Sequence, residues 1–126
     1  MNLEVLNRAE GYCQLELWKD AWDAMEELYN CEKAHPEAAA IRLRIVVALS
    51  MWEKGEEVAD HLSESARIEY KRTAAQYYLK RARVIFYEGD PPEARRHFQK
   101  AVGAWPGIDR EFTDWDLMEL APEGFE

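Results

Sequence analysis

The sequence has 126 residues, 48% of them hydrophobic and 33% charged, which predicts a single domain with a buried core and excludes a disordered chain. Its 25 acidic and 16 basic residues give a formal net charge of -9, and this acidity argues against a nucleic-acid binder, because such proteins need a basic surface for the phosphates. We expect no membrane span, since no run of about 18 apolar residues occurs, and we expect a cytoplasmic protein, since the N-terminus has no basic segment followed by an apolar one.

Apolar residues recur at steps of three and four along most of the chain, which is typical of α-helices. Pro36, residues 88–92 and Pro106 mark breaks between helices. A further break is needed inside 56–88, because this range holds neither Gly nor Pro and a single helix over it would be unusually long. We place that break at 68–73. The seven predicted helices are residues 3–13, 18–28, 36–54, 56–68, 73–87, 92–103 and 108–120.

The sequence contains an internal repeat. Residues 15–28 align without gaps on residues 49–62 at an offset of 34, which pairs Trp18 with Trp52. A third copy, around Ala94, follows the second at an offset of 39. We therefore expect Trp18 and Trp52 to occupy equivalent positions in the core.

Four polar or aromatic side chains have a defined place in this register. Arg8, Arg42 and Arg81 are equivalent in this alignment. Either the register is slightly off, or these side chains lie along helix surfaces and form ion pairs with acids of neighbouring helices, which we favour over a role in binding a partner. Trp22 directly follows Ala21, a predicted core residue. It either covers the edge of a helical hairpin or is exposed, and an exposed tryptophan would suggest a contact surface.

A period of 34 residues with two antiparallel helices per unit resembles the tetratricopeptide repeat (TPR) family. The third unit matches the family pattern best, through Gly89, Ala94, Phe98, Ala101 and Pro106. The resemblance implies an all-α, right-handed superhelix of three helical hairpins with a C-terminal capping helix. The expected parts of this one domain are repeats at about 2–35, 36–72 and 73–106, the capping helix at 108–120 and a frayed tail at 121–126.

In the TPR family the first helix of each unit lines a concave surface that binds peptides, and the resemblance therefore implies a non-enzymatic protein-interaction module. Carried over to this sequence, the lining is Leu6, Glu10, Cys13, Gln14, Ala40, Arg44, Val47, Leu79, Arg83, Phe86 and Tyr87. We expect Arg44, Arg83, Phe86 and Tyr87 to make the main contacts. This lining lacks the Lys and Asn set of a carboxylate clamp, so an apolar helix or strand that carries an acidic residue would fit it better. Alternatively, three units curve too little to form a deep groove, or the final helix covers it.

The charge distribution suggests a second function. Residues 67–100 carry nine bases and four acids, whereas residues 101–126 carry one base and seven acids. Either these charges only form solvated faces, or the basic third unit docks an acidic segment from the chain's own tail, a partner or a second copy. In the last case the protein would be a homo-oligomer, a self-associating structural or chaperone-like subunit.

The residue types that carry chemistry form no predicted centre. Cys13 and Cys31 are expected to be reduced, buried and apolar in role. His35, His61 and His97 have no metal-ligand spacing and are expected to be solvated. The sequence also lacks a Gly-rich phosphate loop and the common hydrolase motifs. We therefore predict no enzyme activity, no metal and no cofactor.

Overall fold

The computed structural model describes residues 2–121, and the secondary structure of these residues is helical, without a β-strand. The α-helices are α1 (Leu3–Gln14), α2 (Trp18–Met25), α3 (Asn30–Lys33), α4 (Pro36–Ala48), α5 (Glu56–Ser63), α6 (Ile68–Tyr87), α7 (Pro91–Ala104) and α8 (Asp114–Glu119), with 3₁₀ segments at Trp52–Lys54 and Pro106–Glu111. The predicted all-helical fold class is confirmed. Except for Ala121, the predicted frayed tail lies outside the described residues.

The chain divides into two compact units, Met1–Val58 and Ala59–Glu126, called here the N-terminal and C-terminal units. In the N-terminal unit α1, α2 and α4 pack against one another. Ala9 and Ala21 are completely buried in its core, and their small side chains let the helix backbones approach closely. Met25 and Ile45, also completely buried, fill the space beside them.

The C-terminal unit is built on a hairpin of α6 and α7, with the 3₁₀ segment Pro106–Glu111 packed on both helices. Ala82, Ala94 and Ala101 are completely buried. Phe98 is also buried, and its ring lies 4.7 Å from that of Phe112. This alternation of small and large side chains is the close packing that the repeat pattern predicts for the third hairpin.

A polar cluster ties the part of α5 that belongs to the C-terminal unit to α6 and α7. Asp60 accepts hydrogen bonds from the Tyr78 hydroxyl and from the Lys100 ammonium, the latter at 2.8 Å. Burial disfavours the ionised Asp60, but the hydrogen bonds from Lys100 and Tyr78 outweigh burial and lower the pKa of this carboxyl. The Lys100 ammonium also lies 4.8 Å from the centre of the Tyr78 ring. These contacts within the C-terminal unit therefore explain why Asp60, Tyr78 and Lys100 lie together.

The same helix-ending turn occurs three times. Glu16, Ser50 and Gly89 adopt left-handed backbone conformations with φ of 59°, 56° and 96°. Each follows the last residues of a helix and closes a Schellman motif, in which the next residue donates back to the helix. These hydrogen bonds join Leu17 to Tyr12 at 2.9 Å, Met51 to Val46 at 2.9 Å and Asp90 to Ile85 at 3.2 Å. The three turns are spaced by 34 and 39 residues, the offsets of the sequence repeat.

Two predicted helix boundaries are wrong. The helix that begins at Pro36 ends at Ala48 rather than at Lys54, because Ser50 takes the left-handed conformation and turns the chain. The break between α5 and α6 lies at 64–67 rather than at 68–73. Thr73, the predicted start, is inside α6, where its hydroxyl donates to the carbonyl of Glu69 at 3.0 Å.

Two short elements also differ from the prediction. The helix α3 was not predicted; its first turn is capped by the Glu32 carboxylate, which accepts from the Tyr29 N–H at 3.0 Å. The predicted final helix 108–120 is divided into a 3₁₀ segment and α8, because Phe112 and Thr113 are extended. Thr113 caps α8 by accepting from the Asp116 N–H at 3.2 Å.

Candidate functional site

The predicted lining residues of the C-terminal unit lie along one side of α6. Arg83 lies four residues after Leu79 and three and four residues before Phe86 and Tyr87, so these residues lie on one side of the helix. Leu79 is buried, Arg83 and Phe86 are half-buried, and Tyr87 is 78% exposed. We call Arg83, Phe86 and Tyr87 the α6 face.

The α6 face holds the chain's own helix α8. The Arg83 guanidinium donates from Nε to Asp116 Oδ1 at 2.9 Å and from Nη2 to Asp116 Oδ2 at 2.7 Å. This is a bidentate, charge-assisted pair, the strongest common hydrogen-bond arrangement between side chains. Nη2 of Arg83 also donates to the Glu111 carbonyl at 3.3 Å. Arg83 therefore contacts both Glu111, at the end of the 3₁₀ segment, and Asp116, in the first turn of α8.

Trp115 of α8 adds an aromatic contact beside the ion pair. Its ring is parallel to that of Tyr87, with 5.5 Å between the ring centres and 5° between the planes. Its ring also meets Phe86 edge-on, at 5.2 Å and 87°. Both are favourable aromatic geometries. The α6 face thus recognises a Trp-Asp pair at the start of a helix.

The local electrostatics keep this pair ionised. Complete burial of the Asp116 side chain disfavours its charge, but the hydrogen bonds from Arg83 and from the Thr113 N–H outweigh burial and lower the pKa of Asp116. The same contact raises the pKa of Arg83. Next to it, the amide of Gln76 donates to Glu111 Oε2 at 3.1 Å. Glu111 and Asp116 therefore contact the polar side chains of Gln76 and Arg83 on α6, within one unit.

The predicted lining residues of the N-terminal unit are in different surroundings. Leu6 and Cys13 are buried in the core of that unit. Glu10 of α1 forms an ion pair with Arg44 of α4, so Arg44 already has a carboxylate partner. Gln14 is exposed. Ala40 and Val47 of α4 are half-buried.

The cysteine and histidine predictions are partly wrong. Cys13 is buried as predicted, and burial raises the pKa of its thiol, whereas Cys31 is exposed at the start of the short helix α3. His35 and His61 are exposed as predicted. His97 is instead buried in α7, where its Nδ1 lies 3.1 Å from the Glu93 carbonyl oxygen. Within residues 2–121 no three His, Cys, Asp or Glu side chains form a group suited to a metal ion.

The three repeat-equivalent arginines differ in their partners. Arg8 pairs with Glu27 at 2.8 Å, as predicted. Arg81 also pairs with an acid, but with Glu88 at the end of its own helix, at 3.4 Å. For Arg42 the prediction is wrong, because its guanidinium lies over the ring of Trp22 and has no carboxylate partner among residues 2–121.

The predicted core tryptophans lie at the edge of the core rather than inside it. Trp18 begins α2 and is half-buried against the core of the N-terminal unit. Trp52 begins the 3₁₀ segment after α4 and is also half-buried. Both therefore directly follow a Schellman turn, and this shared position explains their alignment in the repeat. Trp22 is half-buried as well and covers the core of the same unit.

Asp116 is a residue of the candidate site that the sequence reasoning missed. The pattern Thr113-x-x-Asp116 was a usable signal, because it places a carboxylate in the first turn of a helix. It could not show that Arg83, 33 residues earlier, would be the partner. Trp115, its neighbour in α8, was not among the predicted site residues either.

Comparisons of the chain with protein-family models, with curated proteins and with solved structures find no match. Among residues 2–121 no helix has both the length and the apolar character that crossing a bilayer requires.

Proposed function

We propose that this chain is a non-enzymatic protein-interaction module of the TPR type, and that its α6 face binds an acidic, aromatic helical segment of a partner protein. The single observation that carries the proposal is the seating of α8, whose Trp115 and Asp116 contact Tyr87, Phe86 and Arg83. The cytoplasmic location expected from the sequence stays a prediction. The repeated Schellman turns support the TPR-type arrangement.

The contacts on the α6 face are of the kind that gives both affinity and selectivity. Hydrogen bonds to charged groups contribute about 1.5–3 kcal/mol each, and aromatic pairs add about 0.5–1.5 kcal/mol beyond the area they bury. The planar fork of Arg83 selects a carboxylate, and the adjacent rings of Phe86 and Tyr87 select an aromatic side chain next to it. A partner helix with the order aromatic-acidic in its first turn meets both requirements.

The helix α8 is suited to exchange with such a partner. It has six residues, Asp114–Glu119, and helices shorter than about 12–15 residues are marginal in water without other contacts. Its order therefore depends on the capping by Thr113 and on the contacts of Trp115 and Asp116. A partner segment that makes the same contacts from a longer helix would compete with α8 for Arg83.

A binding experiment tests the proposal on the full-length chain. The double variant Trp115→Ala and Asp116→Ala removes the side chains that occupy the α6 face. A fluorescently labelled peptide of residues 109–121 should bind this variant at least about tenfold more tightly than it binds the unmodified chain, because the chain's own α8 competes at high effective concentration. Fluorescence anisotropy measures the affinity.

Two further variants control the experiment. Adding Arg83→Ala to the double variant should abolish peptide binding, because the bidentate pair is lost. Adding Arg72→Ala should leave it unchanged, since Arg72 lies on the same helix but stacks on Trp105, 5.4 Å from its ring centre. Equal, weak binding by all the variants would show that α8 is a permanent cap and not an exchangeable ligand.

Self-association through the acidic C-terminal segment is the less supported alternative. It depends on attraction between the basic third repeat and acids from another copy. The Arg83–Asp116 pair joins these two charge sets within the C-terminal unit, and Gln76 contacts Glu111 there as well. The charges that would drive self-association are therefore already partly used inside one chain.

A further inference from the structure

We infer that the N-terminal unit contains an oxyanion-binding site at Trp22, in which Arg42 and Lys54 take a carboxylate or phosphate group. This site is independent of the α6 face, which belongs to the other unit. Trp22 lies on α2, Arg42 on α4 and Lys54 in the 3₁₀ segment that follows α4. Three elements of one unit therefore supply its parts.

The charge pairing of the N-terminal unit singles out these two cations. Residues 2–58 contain 12 acidic but only six basic side chains. Four of the six bases form ion pairs, namely Arg8 with Glu27, Lys19 with Asp23, Lys33 with Glu26 and Arg44 with Glu10. The other two, Arg42 and Lys54, have no ion-pair partner among residues 2–121. An excess of acids makes it unusual that two cations remain unpaired.

Both unpaired cations contact the same aromatic ring. The guanidinium carbon of Arg42 lies 5.4 Å from the centre of the Trp22 ring, and the ammonium nitrogen of Lys54 lies 5.5 Å from it. Cation–π contacts hold a positive charge near a ring, but they do not neutralise it. Two positive charges held near one indole raise the local positive potential, which attracts an anion to this part of the N-terminal unit.

Arg42 also has an unmet hydrogen-bonding requirement. Its Nε is buried and has no hydrogen-bond acceptor among residues 2–121, which is costly and calls for an explanation. The repeat-equivalent Arg8 and Arg81 each have a carboxylate, from Glu27 and Glu88. An oxyanion from outside the chain would give Arg42 the acceptor oxygens that its two counterparts obtain internally. Arginine and lysine together suit carboxylate and phosphate oxygens.

A titration of the full-length, isotope-labelled chain tests the site. Inorganic phosphate and acetate are added separately at constant ionic strength, with chloride as the matched salt. Two-dimensional NMR follows the indole N–H of Trp22 and the Nε–H of Arg42. At least one oxyanion should shift both signals to saturation, with a dissociation constant of about 1 mM or a few times that value, the range typical of single-ion contacts.

Variants connect the effect to the two cations. Arg42→Gln and Lys54→Gln should each weaken oxyanion binding by about tenfold or more, the loss expected when one charged hydrogen-bonding partner is removed. Arg8→Gln, which changes the equivalent and already paired arginine, should leave binding unchanged. Lys54 is exposed, so its substitution is compatible with the fold even where that of Arg42 is not.

Each possible result either supports or overturns the inference. Saturation by phosphate only assigns the site to phosphate groups, and saturation by acetate assigns it to carboxylates; either supports an oxyanion site. Shifts that rise linearly without saturation, that chloride reproduces, or that persist unchanged in Lys54→Gln would overturn the inference.

Discussion

Replacing Asp116 by Asn keeps the shape of the side chain but removes the charge that Arg83 faces. The Asn side-chain oxygen can still accept from the Thr113 N–H, so the cap of α8 is retained in this variant. Its NH2 group then replaces the oxygen that accepts from Arg83 Nε, so the bidentate contact with Arg83 is lost. The expected loss of stability therefore reports on the ion pair rather than on the helix cap. This makes Asp116→Asn a cleaner test than Asp116→Ala.

The expected magnitude follows from the burial of the two partners. The Asp116 side chain is completely buried, whereas that of Arg83 is 30% exposed. Removing one partner of a fully buried pair costs about 3–5 kcal/mol, and a hydrogen bond to a charged group contributes about 1.5–3 kcal/mol. Because Arg83 keeps solvent access and its contact with the Glu111 carbonyl, the free energy of unfolding should fall by about 2 kcal/mol, near the lower of these ranges.

The difference between the variant and the unmodified chain should also depend on pH. Arg83 and the Thr113 N–H outweigh burial and hold the pKa of Asp116 below its unfolded value, which is about 3.9. A lowered folded pKa contributes stability above the unfolded pKa, and this stability is lost as the pH falls through the folded pKa. The difference should thus be constant between about pH 7 and 5 and decrease below about pH 4.

Urea denaturation monitored by circular dichroism measures this difference, with the midpoint lowered and the slope unchanged. The Arg83→Gln variant and the double variant complete a mutant cycle that isolates the interaction between the two side chains. A stability loss below about 0.5 kcal/mol at pH 7, the usual range of surface substitutions, would refute the reasoning, as would a difference that persists unchanged at pH 3.

Two further predictions concern the repeat and the thiols. Ser50→Gly should stabilise the chain by about 1 kcal/mol, because it relieves the left-handed strain of a residue with a Cβ, and Gly89→Ala should destabilise it by a similar amount. Urea denaturation checks both signs, and the same sign for both would contradict the shared Schellman geometry. Brief iodoacetamide treatment should modify exposed Cys31 well before Cys13, whose thiol is buried with a raised pKa. Mass spectrometry of the peptides measures this, and equal labelling would contradict the described burial.

Much of the helical pattern could be predicted because it depends on local signals. The α7 helix, Pro91–Ala104, has prolines in its first turn, and the Asp90 side chain caps it by accepting from the Glu93 N–H. Periodic apolar residues and such caps are visible in a sequence. The end of α4 was missed because Ser50 adopts a conformation that only glycine takes readily. The repeat alignment pairs Ser50 with Gly89, and this pairing could have predicted the left-handed conformation of Ser50.

The partners within the candidate site could not be predicted in the same way. Arg83, Phe86 and Tyr87 were predicted because the resemblance to the TPR family places them on the lining side of the first helix of the third unit. Their binding to Trp115 and Asp116 depends on how a short segment returns along α6, and no local pattern encodes that path. Arg42 shows the same limit, because its repeat position predicted a carboxylate while the fold placed Trp22 beside it.

The most direct test of the account is an exchange of charge between Arg83 and Asp116 across two molecules. Two full-length hosts are made, Arg83→Asp and Asp116→Arg, each of which should release its own α8 by like-charge repulsion. Peptides of residues 109–121 are then titrated in the unmodified form and with Asp116→Arg. The account predicts that the Asp116→Arg host binds only the unmodified peptide and the Arg83→Asp host only the Asp116→Arg peptide. Binding that does not depend on this charge match, or no binding to either host, would contradict the proposal that the α6 face is a docking site.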